Sequence, residues 1–583
     1  MSHFILVCER GEGAGAVDIA RSLEECARLL WPPGVTPRAT TLVAEEGLAL
    51  AVVSPNEGVM LKGTSLCLGR ILDRPGEWWR PGAAPPDGTY ALCRCSPDAV
   101  EIVTDIAASR AVWYYHDDDV FLASSSQRPL VALLGGLDLD AEAVTWMVAS
   151  RSLGPRSSYD RRLRRAPLDG GVWLDRRSWS IDVRSRWEPY QPDDLSDDEH
   201  ARRLNDALVE TCAYLAPEAD RWPLLLSGGY DSRALLVGML QAGVRPRCVT
   251  WGFEAALGDE QSDAAVARRL ARAVGVRHDF FGLDGPRGAA GEIIEEFIVR
   301  SEGQVTDFTM YVDGFETWRT LVDQGCIGVV RGDNYPWAYL GEFRTPRTVR
   351  HHCGADFVSD YAANHLIHRL GLVQQSFPAH LEQQPGEDLL RYRDRLQRTL
   401  YIPSRVAPLN QIKASYLEIV NPLKARRIAD VVMRLPERLR LHPGALATVL
   451  ALKGPAVAFA SRPAATLPAI LERPEMREAI ATGLCSDTSY RLFDGAALDE
   501  VVRSILLPPA PAGRVKATRK LRAALPRKLK DLALPVVGVR LDTKELALRM
   551  FIAARAVELL EADAGLIDSV PWAVGDGRAL QGV

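Results

Sequence analysis

The stretch Leu224-Leu225-Leu226-Ser227-Gly228-Gly229-Tyr230-Asp231-Ser232-Arg233 decides how the fold of this chain is interpreted. Its apolar start predicts a short buried strand, and the apolar residues 234–240 that follow predict a buried helix. Between them, two adjacent glycines let the backbone approach a ligand closely, and the N–H groups at a helix start favour an anion. The stretch therefore predicts a strand, an anion-binding turn and a helix.

The side chains of the turn make this prediction more specific. Ser227 and Ser232 add hydroxyl donors, whereas Asp231 would repel a phosphate unless a divalent metal ion lay between them. A glycine-rich turn that merely closes a strand–helix unit is the plainer alternative. The pattern SGGxDS after an apolar strand favours a nucleotide site, and it is not a Walker A loop, because GxxxxGK[ST] does not occur in the chain.

The SGGxDS pattern resembles the pyrophosphate loop of the ATP pyrophosphatase superfamily, in the branch of asparagine synthetase B, β-lactam synthetase and the lasso peptide cyclases. The resemblance implies that ATP is split between its α and β phosphates and that a substrate group is adenylated. It also implies a set of nucleotide contacts, namely Leu226, Ser227, Gly228, Gly229, Asp231, Ser232, Trp251, Arg331 and Gly332, with the backbones of Leu226 and Trp251 lining the adenine site.

Composition describes an ordinary globular chain. Its 583 residues are 47% hydrophobic and 25% charged, which is enough for two domains or more, and its net charge of −5 gives no global sign of nucleic-acid binding. The ten cysteines lack a CxxC pair, which favours reduced core thiols without a metal framework. No apolar run suits a signal peptide or a membrane span, so we expect a soluble, cytoplasmic protein without membrane partners.

Residues 1–190 carry many short strand signals. Strands are predicted at 4–8, 49–53, 89–93, 101–105, 110–115 and 121–124, with helices at 16–30 and 127–134. In order and spacing the later strands resemble the glutamine amidotransferase domain of asparagine synthetase B, which implies an Ntn-type αββα layered fold. The family has a nucleophilic cysteine directly after the initiator methionine, and here the residue is Ser2. Because the glutamine-binding segments are also missing, we interpret this domain as a degenerate scaffold.

A linker rich in prolines and acidic residues at 187–194 precedes the second domain, 195–583. Ser196-Asp197-Asp198-Glu199 predicts a capped helix start. Strands at 248–253, 278–281 and 327–330 alternate with helices such as 263–274. Together they predict a doubly wound parallel sheet with ligands at the carboxyl ends of its strands. The resemblance implies an ATP pyrophosphatase-type sheet with helical additions.

Asp333 is the second carboxylate predicted to act. In the family, an aspartate in the loop after this strand shares Mg²⁺ with the aspartate of the first loop, so Asp231 and Asp333 become the expected metal ligands and catalytic residues. Two carboxylates around magnesium can hold the β and γ phosphates of ATP. The alternative is a solvated aspartate in a turn, and the loop is shorter here than in the family.

One family feature is missing. The segment Glu418-Ile419-Val420-Asn421-Pro422-Leu423 resembles the stretch beside the acceptor pocket, but the catalytic lysine of the downstream R-x-K stretch has no counterpart. Arg462 or Lys453 could supply its charge, although arginine does not freely replace lysine.

The C-terminal region carries two further patterns. Eight basic residues and no acidic one lie between Arg514 and Lys530, which favours a solvated helix face, with an acidic peptide or phosphate contact as the alternative. The segment 545–562 predicts an amphipathic helix with a structural role.

Among the relatives, a lasso peptide cyclase fits best. It would use ATP and Mg²⁺ to adenylate an Asp or Glu side chain of a precursor peptide and join it to the N-terminal amine of the same peptide, releasing AMP and pyrophosphate. A leader peptidase and a leader-recognition protein would be its partners, with no nucleic acid involved. A β-lactam synthetase-like or other asparagine synthetase-like amide ligase is the alternative enzyme, and a non-catalytic scaffold that binds peptide or nucleotide is the alternative from another class.

Overall fold

The computed structural model describes residues 2–11, 16–186, 190–285, 288–333, 343–361, 364–441, 443–507 and 541–567. Its N-terminal part contains two six-stranded antiparallel sheets. Their strands are His3–Glu9 (β1), Thr41–Glu45 (β2), Leu48–Val53 (β3), Met60–Lys62 (β4), Ser65–Ile71 (β5), Gly88–Cys95 (β6), Ala99–Thr104 (β7), Trp113–His116 (β8), Val120–Ser124 (β9), Arg164–Arg165 (β10), Gly170–Asp175 (β11) and Ser180–Ser185 (β12). The strand orders are β10-β8-β9-β1-β3-β2 and β12-β11-β7-β6-β5-β4.

The two antiparallel sheets pack face to face. Alternate residues of β1 point to opposite sides of its sheet. Phe4 and Leu6 belong to the core shared with the second sheet, whereas Ile5 and Val7 pack into the core that contains the helices. These helices are Ala16–Arg28 (α1), Gln127–Leu133 (α2) and Ala141–Ser150 (α3). The predicted strands and helices of this part are therefore present, with one shift at β8, where Arg110 instead turns toward Glu418.

The C-terminal part is built on a five-stranded parallel sheet. Its strands are Leu224–Leu225 (β13), Cys248–Gly252 (β14), His278–Gly282 (β15), Gly328–Val330 (β16) and Glu418–Val420 (β17), in the order β15-β14-β13-β16-β17. Leu225 and Val329 pack into one core, whereas Leu224 and Val330 pack into another, so both faces of the sheet are covered. The prediction of a mixed α/β chain with a parallel sheet is confirmed.

Helices surround this sheet. They are Asp197–Ala213 (α4), Tyr230–Gln241 (α5), Asp263–Val274 (α6), Ala290–Ser301 (α7), Glu316–Asp323 (α8), Pro346–His352 (α9), His365–Arg369 (α10), Leu389–Leu396 (α11), Ala407–Ala414 (α12), Arg426–Met433 (α13), Glu437–Arg440 (α14), Gly444–Lys453 (α15), Leu467–Leu471 (α16), Pro474–Leu484 (α17), Asp487–Leu492 (α18), Gly495–Leu506 (α19) and Thr543–Ala564 (α20). A π-helical segment, Gln397–Val406, joins α11 to α12. As predicted, Ser196 caps α4 and α6 ends at Gly275, which has a φ of 67°.

One hydrophobic core joins the two halves of the chain. It contains strand residues of the first half, such as Ile5, together with residues of α7 and α20 from the second. Arg128 on α2 makes a bidentate ion pair with Asp563 on α20, at 2.7 and 2.8 Å. The prediction of an amphipathic helix at 545–562 is wrong in one respect: α20 is buried on nearly every side, because both halves pack around it.

A buried polar cluster also crosses the boundary. Glu418 on β17 is 1% exposed, accepts a hydrogen bond of 3.0 Å from Asn56 Nδ2 and pairs with Arg110. Asn56 N donates to the hydroxyl of Ser2 at 3.0 Å, and Ser2 is itself fully buried. The start of the first half is thus tied directly to the edge strand of the parallel sheet.

Other sequence features can be placed briefly. All ten cysteines are free thiols, and Cys485 alone among them is exposed. Within the described residues, no helix has the length and apolarity needed to cross a bilayer. The basic residues between Arg514 and Lys530 lie outside the described residues.

A pH-dependent contact lies at the end of α9. His351 Nδ1 lies 2.5 Å from Oδ1 of the buried Asp356, and this hydrogen bond raises the pKa of His351 above its usual 6.5. Because the pKa of His351 is raised in the folded state, this contact contributes its full stabilisation below about pH 6.5. The stabilisation is lost as the pH rises through the pKa of the folded state.

We therefore expect His351→Gln to flatten the pH dependence of the thermal unfolding midpoint between about pH 6 and 8. The same change at His380, which is exposed, is the matched control and should leave the dependence as in the original protein. An unchanged slope in the His351 variant would contradict the role of this pair.

Candidate functional site

Two loops lie side by side where the order of the parallel sheet changes direction. β13 is central, with β14 on one side and β16 on the other, so the chains leaving β13 and β16 turn to opposite faces. A crevice opens beyond the carboxyl ends of strands at such a switch point. The loop of residues 226–229 follows β13 and the loop of residues 331–333 follows β16. Both were predicted to carry the site.

The first loop is held by its own hydroxyl groups. Ser227 N donates to Ser232 Oγ at 3.0 Å, the two hydroxyl oxygens lie 2.9 Å apart, and Gly229 N donates to Ser227 Oγ at 3.2 Å. Asp231 lies in the first turn of α5, which begins after Gly229 without a side-chain cap. The two serines therefore shape the turn that places Asp231 and the start of α5 at the crevice.

A cavity of about 200 Å³ opens beside this loop. Three predicted nucleotide residues line it, namely Leu226, Ser227 and Trp251, together with Thr250, Asp263, Met310 and Ala464 among others. Gly228 N donates to Asp263 Oδ1 at 3.2 Å, and burial raises the pKa of this carboxyl. The cavity is smaller than the ~300–1,000 Å³ of typical ligand pockets, so it suits part of a ligand, such as a flat heterocyclic base.

A segment that the sequence analysis did not assign covers the loop from the other side. Arg233 donates to the carbonyls of Val457 and Ala458, at 2.5 and 3.0 Å, and its guanidinium lies 3.9 Å from the centre of the Phe459 ring. Phe459 stacks on Tyr230 with 3.8 Å between ring centres. No periodicity in the sequence signals these contacts, because they join residues more than 220 positions apart.

Two glycines are required by close packing at the loops. A Cβ added at Gly228 would lie 2.4 Å from the Cβ of Ala460, and one added at Gly332 would lie 2.8 Å from the backbone nitrogen of Ser232. Both distances are too short for any other residue without a shift of the backbone. The second loop is therefore packed directly against the backbone at the start of α5, where Asp231 and Ser232 lie.

Positively charged groups surround Asp333 on the second loop. Arg331 Nε lies 2.5 Å from its Oδ1, whereas Asn421 Nδ2 and Lys424 Nζ lie 3.0 and 3.5 Å from its Oδ2. Burial alone would raise the pKa of Asp333, but Arg331, Lys424 and Lys413 outweigh it and lower the pKa to about 2. The alternative of a solvated turn aspartate is wrong, because this side chain is only 18% exposed.

The two lysines of this cluster were not predicted from the sequence. Lys413 on α12 is fully buried and donates to the carbonyl of Leu409 at 2.7 Å, and Lys424 follows β17. Burial and the neighbouring Arg331 lower the pKa of both lysines, because each charge is held out of water beside another cation. Arginine supplies most of the positive charge of this chain, and lysine is rare. Two lysines on either side of the short strand β17 could therefore have been noticed in the sequence as candidates for a role in the site.

Arg462 and Lys453, which were predicted to replace the missing family lysine, lie elsewhere. Arg462 is 62% exposed and pairs with Asp259 at 2.9 Å, although Pro463 and Ala464, directly after it, line the cavity. Lys453 is exposed at the end of α15. The structure places neither side chain in the cluster around Asp333, whose cations are the half-buried Arg331 and the buried Lys413 and Lys424 instead.

The predicted magnesium site can be compared with these contacts. Magnesium is bound by oxygen atoms in near-octahedral geometry and usually keeps several water ligands. Both oxygens of Asp333 already accept from nitrogen donors, so a magnesium ion would have to compete with Arg331 and Asn421 for this carboxylate. Among the described residues, no group of three or more His, Cys, Asp or Glu could hold a metal ion. Magnesium binding by Asp231 and Asp333 stays a prediction based on the resemblance.

The geometry on its own identifies a crevice, a cavity beside a glycine-rich loop and a buried group of cations. Such a site can bind a ligand that combines a flat apolar portion with negative charge. No protein-family model and no curated protein matches the chain.

Proposed function

We propose that this chain is an ATP-dependent ligase that forms an amide bond through an acyl-adenylate, and that it acts as a lasso peptide cyclase. The observation that carries the proposal is the pairing of the SGGYDS loop with the 331–333 loop at the switch point of a parallel sheet, beside a cavity lined by Leu226, Ser227 and Trp251. In this proposal the sheet is of the ATP pyrophosphatase type, and the two antiparallel sheets form an Ntn-type αββα domain.

ATP would place its base in the cavity and its phosphates across the start of α5. Backbone N–H groups at a helix start and the positive end of its dipole favour phosphate oxygens. Gly228 and Gly332 keep the segments around this place close together, because a side chain at either position would collide with neighbouring protein atoms.

Three basic side chains cluster around Asp333. Arg331, Lys413 and Lys424 lie beside its carboxylate in a place with little water, and Asp307 and Asp105 add negative charge near the two lysines. Fixed positive groups of this kind stabilise negative charge that develops in a transition state more strongly than water does. In the proposal, Lys424 and Lys413 supply the positive charge that the downstream catalytic lysine supplies in the family.

The acceptor amine would come from the substrate itself. Ser2, at the position of the family's glutaminase nucleophile, is fully buried and is held by Asn56 N, which supports a scaffold role for the first half. A peptide α-amine has a pKa near ~7.7–8.0, so an appreciable fraction is neutral at physiological pH. Correct orientation of amine and adenylate can contribute roughly 7–11 kcal/mol to the lowering of the barrier.

The other elements of the proposal follow from this activity. The substrate is a precursor peptide with an acceptor Asp or Glu, and a leader peptidase and a leader-recognition protein work with the enzyme in the cytoplasm. Magnesium would arrive with ATP. A β-lactam synthetase-like ligase and a non-catalytic scaffold are the competing functions, and the proposal is tested against both.

The test is an incubation of the purified full-length protein with ATP, magnesium and candidate precursor peptides, in which AMP and peptide mass are measured together. AMP formation with loss of one water from the peptide supports the cyclase. AMP formation with a small amino-acid substrate alone supports the β-lactam synthetase-like activity, and no AMP under any condition supports the scaffold.

Asp231→Ala provides the internal comparison for this assay. We expect it to remove AMP formation, because Asp231 lies at the start of α5 where the phosphates would bind. Asp323→Ala, at the exposed end of α8, is the matched control and should keep full activity. Peptide processing that survives Asp231→Ala would refute the assignment of the site.

A further inference from the structure

A second cavity, of about 280 Å³, lies between the first half of the chain and the π-helical segment Gln397–Val406. We refer to it as the arginine cavity, because Arg156, Arg165 and Arg398 all line it. None of its lining residues lines the cavity beside the SGGYDS loop. Thr399 is exposed at its rim, so it opens to solvent. Segments of π-helix occur frequently at functional sites.

The three arginines differ in how their charge is balanced. Arg156 Nε is bonded to the carboxylate of Asp140 at 2.6 Å. Arg165 instead donates to neutral oxygens: those of Ser157 and Gln304, at 3.2 and 2.8 Å, and the carbonyl of Pro403. Its Nε is buried and has no hydrogen-bond partner among the described residues. A buried guanidinium of this kind is an unfavourable arrangement unless an anion completes it.

Burial also affects the titration of this group. It lowers the pKa of Arg165 to about 10, although the charge of Glu302 acts in the opposite direction. Glu302 is already engaged by Ser126, Gln127 and Gln411, so its carboxylate is shared with other donors. The guanidinium of Arg165 also lies 4.9 Å from the centre of the Trp113 ring, so its positive charge is compensated in part by this ring and by the shared carboxylate of Glu302.

Apart from the arginines, the cavity offers few side-chain hydrogen-bond donors to a ligand. Arg398 is 6% exposed and donates to the hydroxyl of Ser185 at 2.8 Å. The hydroxyl groups of Ser185, Thr399 and Ser404 each donate to a backbone carbonyl, at 2.7–2.9 Å. A ligand in this cavity would thus meet guanidinium groups, whose planar forks match carboxylate and phosphate.

We propose that the arginine cavity binds a small oxyanion, a carboxylate or a phosphate, between Arg165 and Arg398. Leu168 and Pro167 form an apolar wall for the remainder of the ligand. Because Arg398 belongs to the π-helical segment and Arg165 to β10, a bound anion would hold that segment to the first half of the chain. This site is separate from the proposed nucleotide site and does not depend on its function.

The test is calorimetric titration of the full-length protein with inorganic phosphate in one arm and acetate in the other, against chloride at equal ionic strength. We expect saturable binding in at least one arm, and the arm that saturates identifies the ligand class. Arg398→Gln and Arg165→Gln should each weaken this binding at least tenfold. Arg164→Gln, an exposed neighbour outside the cavity, is the matched control and should bind within twofold of the original protein.

Three results would overturn the proposal. The first is that neither phosphate nor acetate shows saturable binding, and the second is that both arginine variants bind as the original protein does. The third is that Gly228→Val loses phosphate binding while Arg398→Gln retains it fully. The last result would assign the phosphate to the SGGYDS loop. If Arg165→Gln does not fold, the Arg398→Gln variant alone decides the outcome, because Arg398 lines the cavity from a different segment of the chain.

Discussion

Replacing Gly332 by alanine is expected to lower the rate of AMP formation by roughly tenfold or more, since a displacement of ~1 Å at a catalytic site can cost about a hundredfold. The added Cβ would lie 2.8 Å from Ser232 N and 2.9 Å from the carbonyl carbon of Asp231. Ordinary contacts of a Cβ begin at 3.4 Å, so the two loops must move apart by about 0.6 Å (3.4 minus 2.8). The neighbouring atoms are backbone, which cannot rotate away as the end of a flexible side chain would.

The control for this change is Gly258→Ala. Gly258 is exposed, and a Cβ added there meets no atom within 4 Å. Stabilisation of each variant by ATP, measured as the shift of the thermal unfolding midpoint, separates binding from chemistry. If Gly332→Ala forms AMP at the original rate and gains the original stabilisation from ATP, the contact between the loops does not matter for the site.

Removing the charge of Asp333 is expected to destabilise the protein by about 3 kcal/mol, the lower end of the range for breaking a buried ion pair. In Asp333→Asn the cations Arg331, Lys424 and Lys413 would repel one another without the carboxylate between them. Combining it with Lys424→Met should recover part of the loss, because one of the three charges is gone. Two changes at groups in contact are not additive.

The measurement is urea unfolding of each variant, in which the loss appears as a lower urea concentration at the midpoint and, where the transition is a single step, as a lower free energy of unfolding. Asp98→Asn is the matched control: Asp98 is 61% exposed and pairs with Arg177 at 2.6 Å, and exposed pairs contribute only ~0–1 kcal/mol. If the double variant is no more stable than Asp333→Asn, repulsion among the cations is not the cause of the loss.

Local sequence patterns predicted a large part of this fold. The strands β13, β14 and β16, the cap of α4 and the end of α6 at Gly275 all follow from short patterns of apolar, capping and glycine residues. The position of the two loops at the carboxyl ends of the sheet followed in turn, because parallel strands bring these ends to one edge, whereas the strand order that makes this a switch point was not predicted. Each of these features depends on residues close together in the chain.

The missed features depend on distant contacts instead. Arg233 meets residues 457–459, and Lys424 meets Asp333 across 91 positions, so neither contact could be derived without knowing how the segments pack. The misjudged helix α20 has the same origin. A helix buried on all sides differs from a surface helix through its neighbours, and these come from both halves of the chain.

The pairing of Glu418 with Asn56 and Arg110 has a consequence for attempts to shorten the protein. Residues 195–583 expressed alone would expose a buried carboxylate on the edge strand β17 and the apolar faces of α7 and α20. Such a fragment should aggregate or require a detergent, however intact its loops are. The first half therefore cannot be deleted, whether or not it carries out chemistry of its own. A shortened version of this protein has to keep both halves.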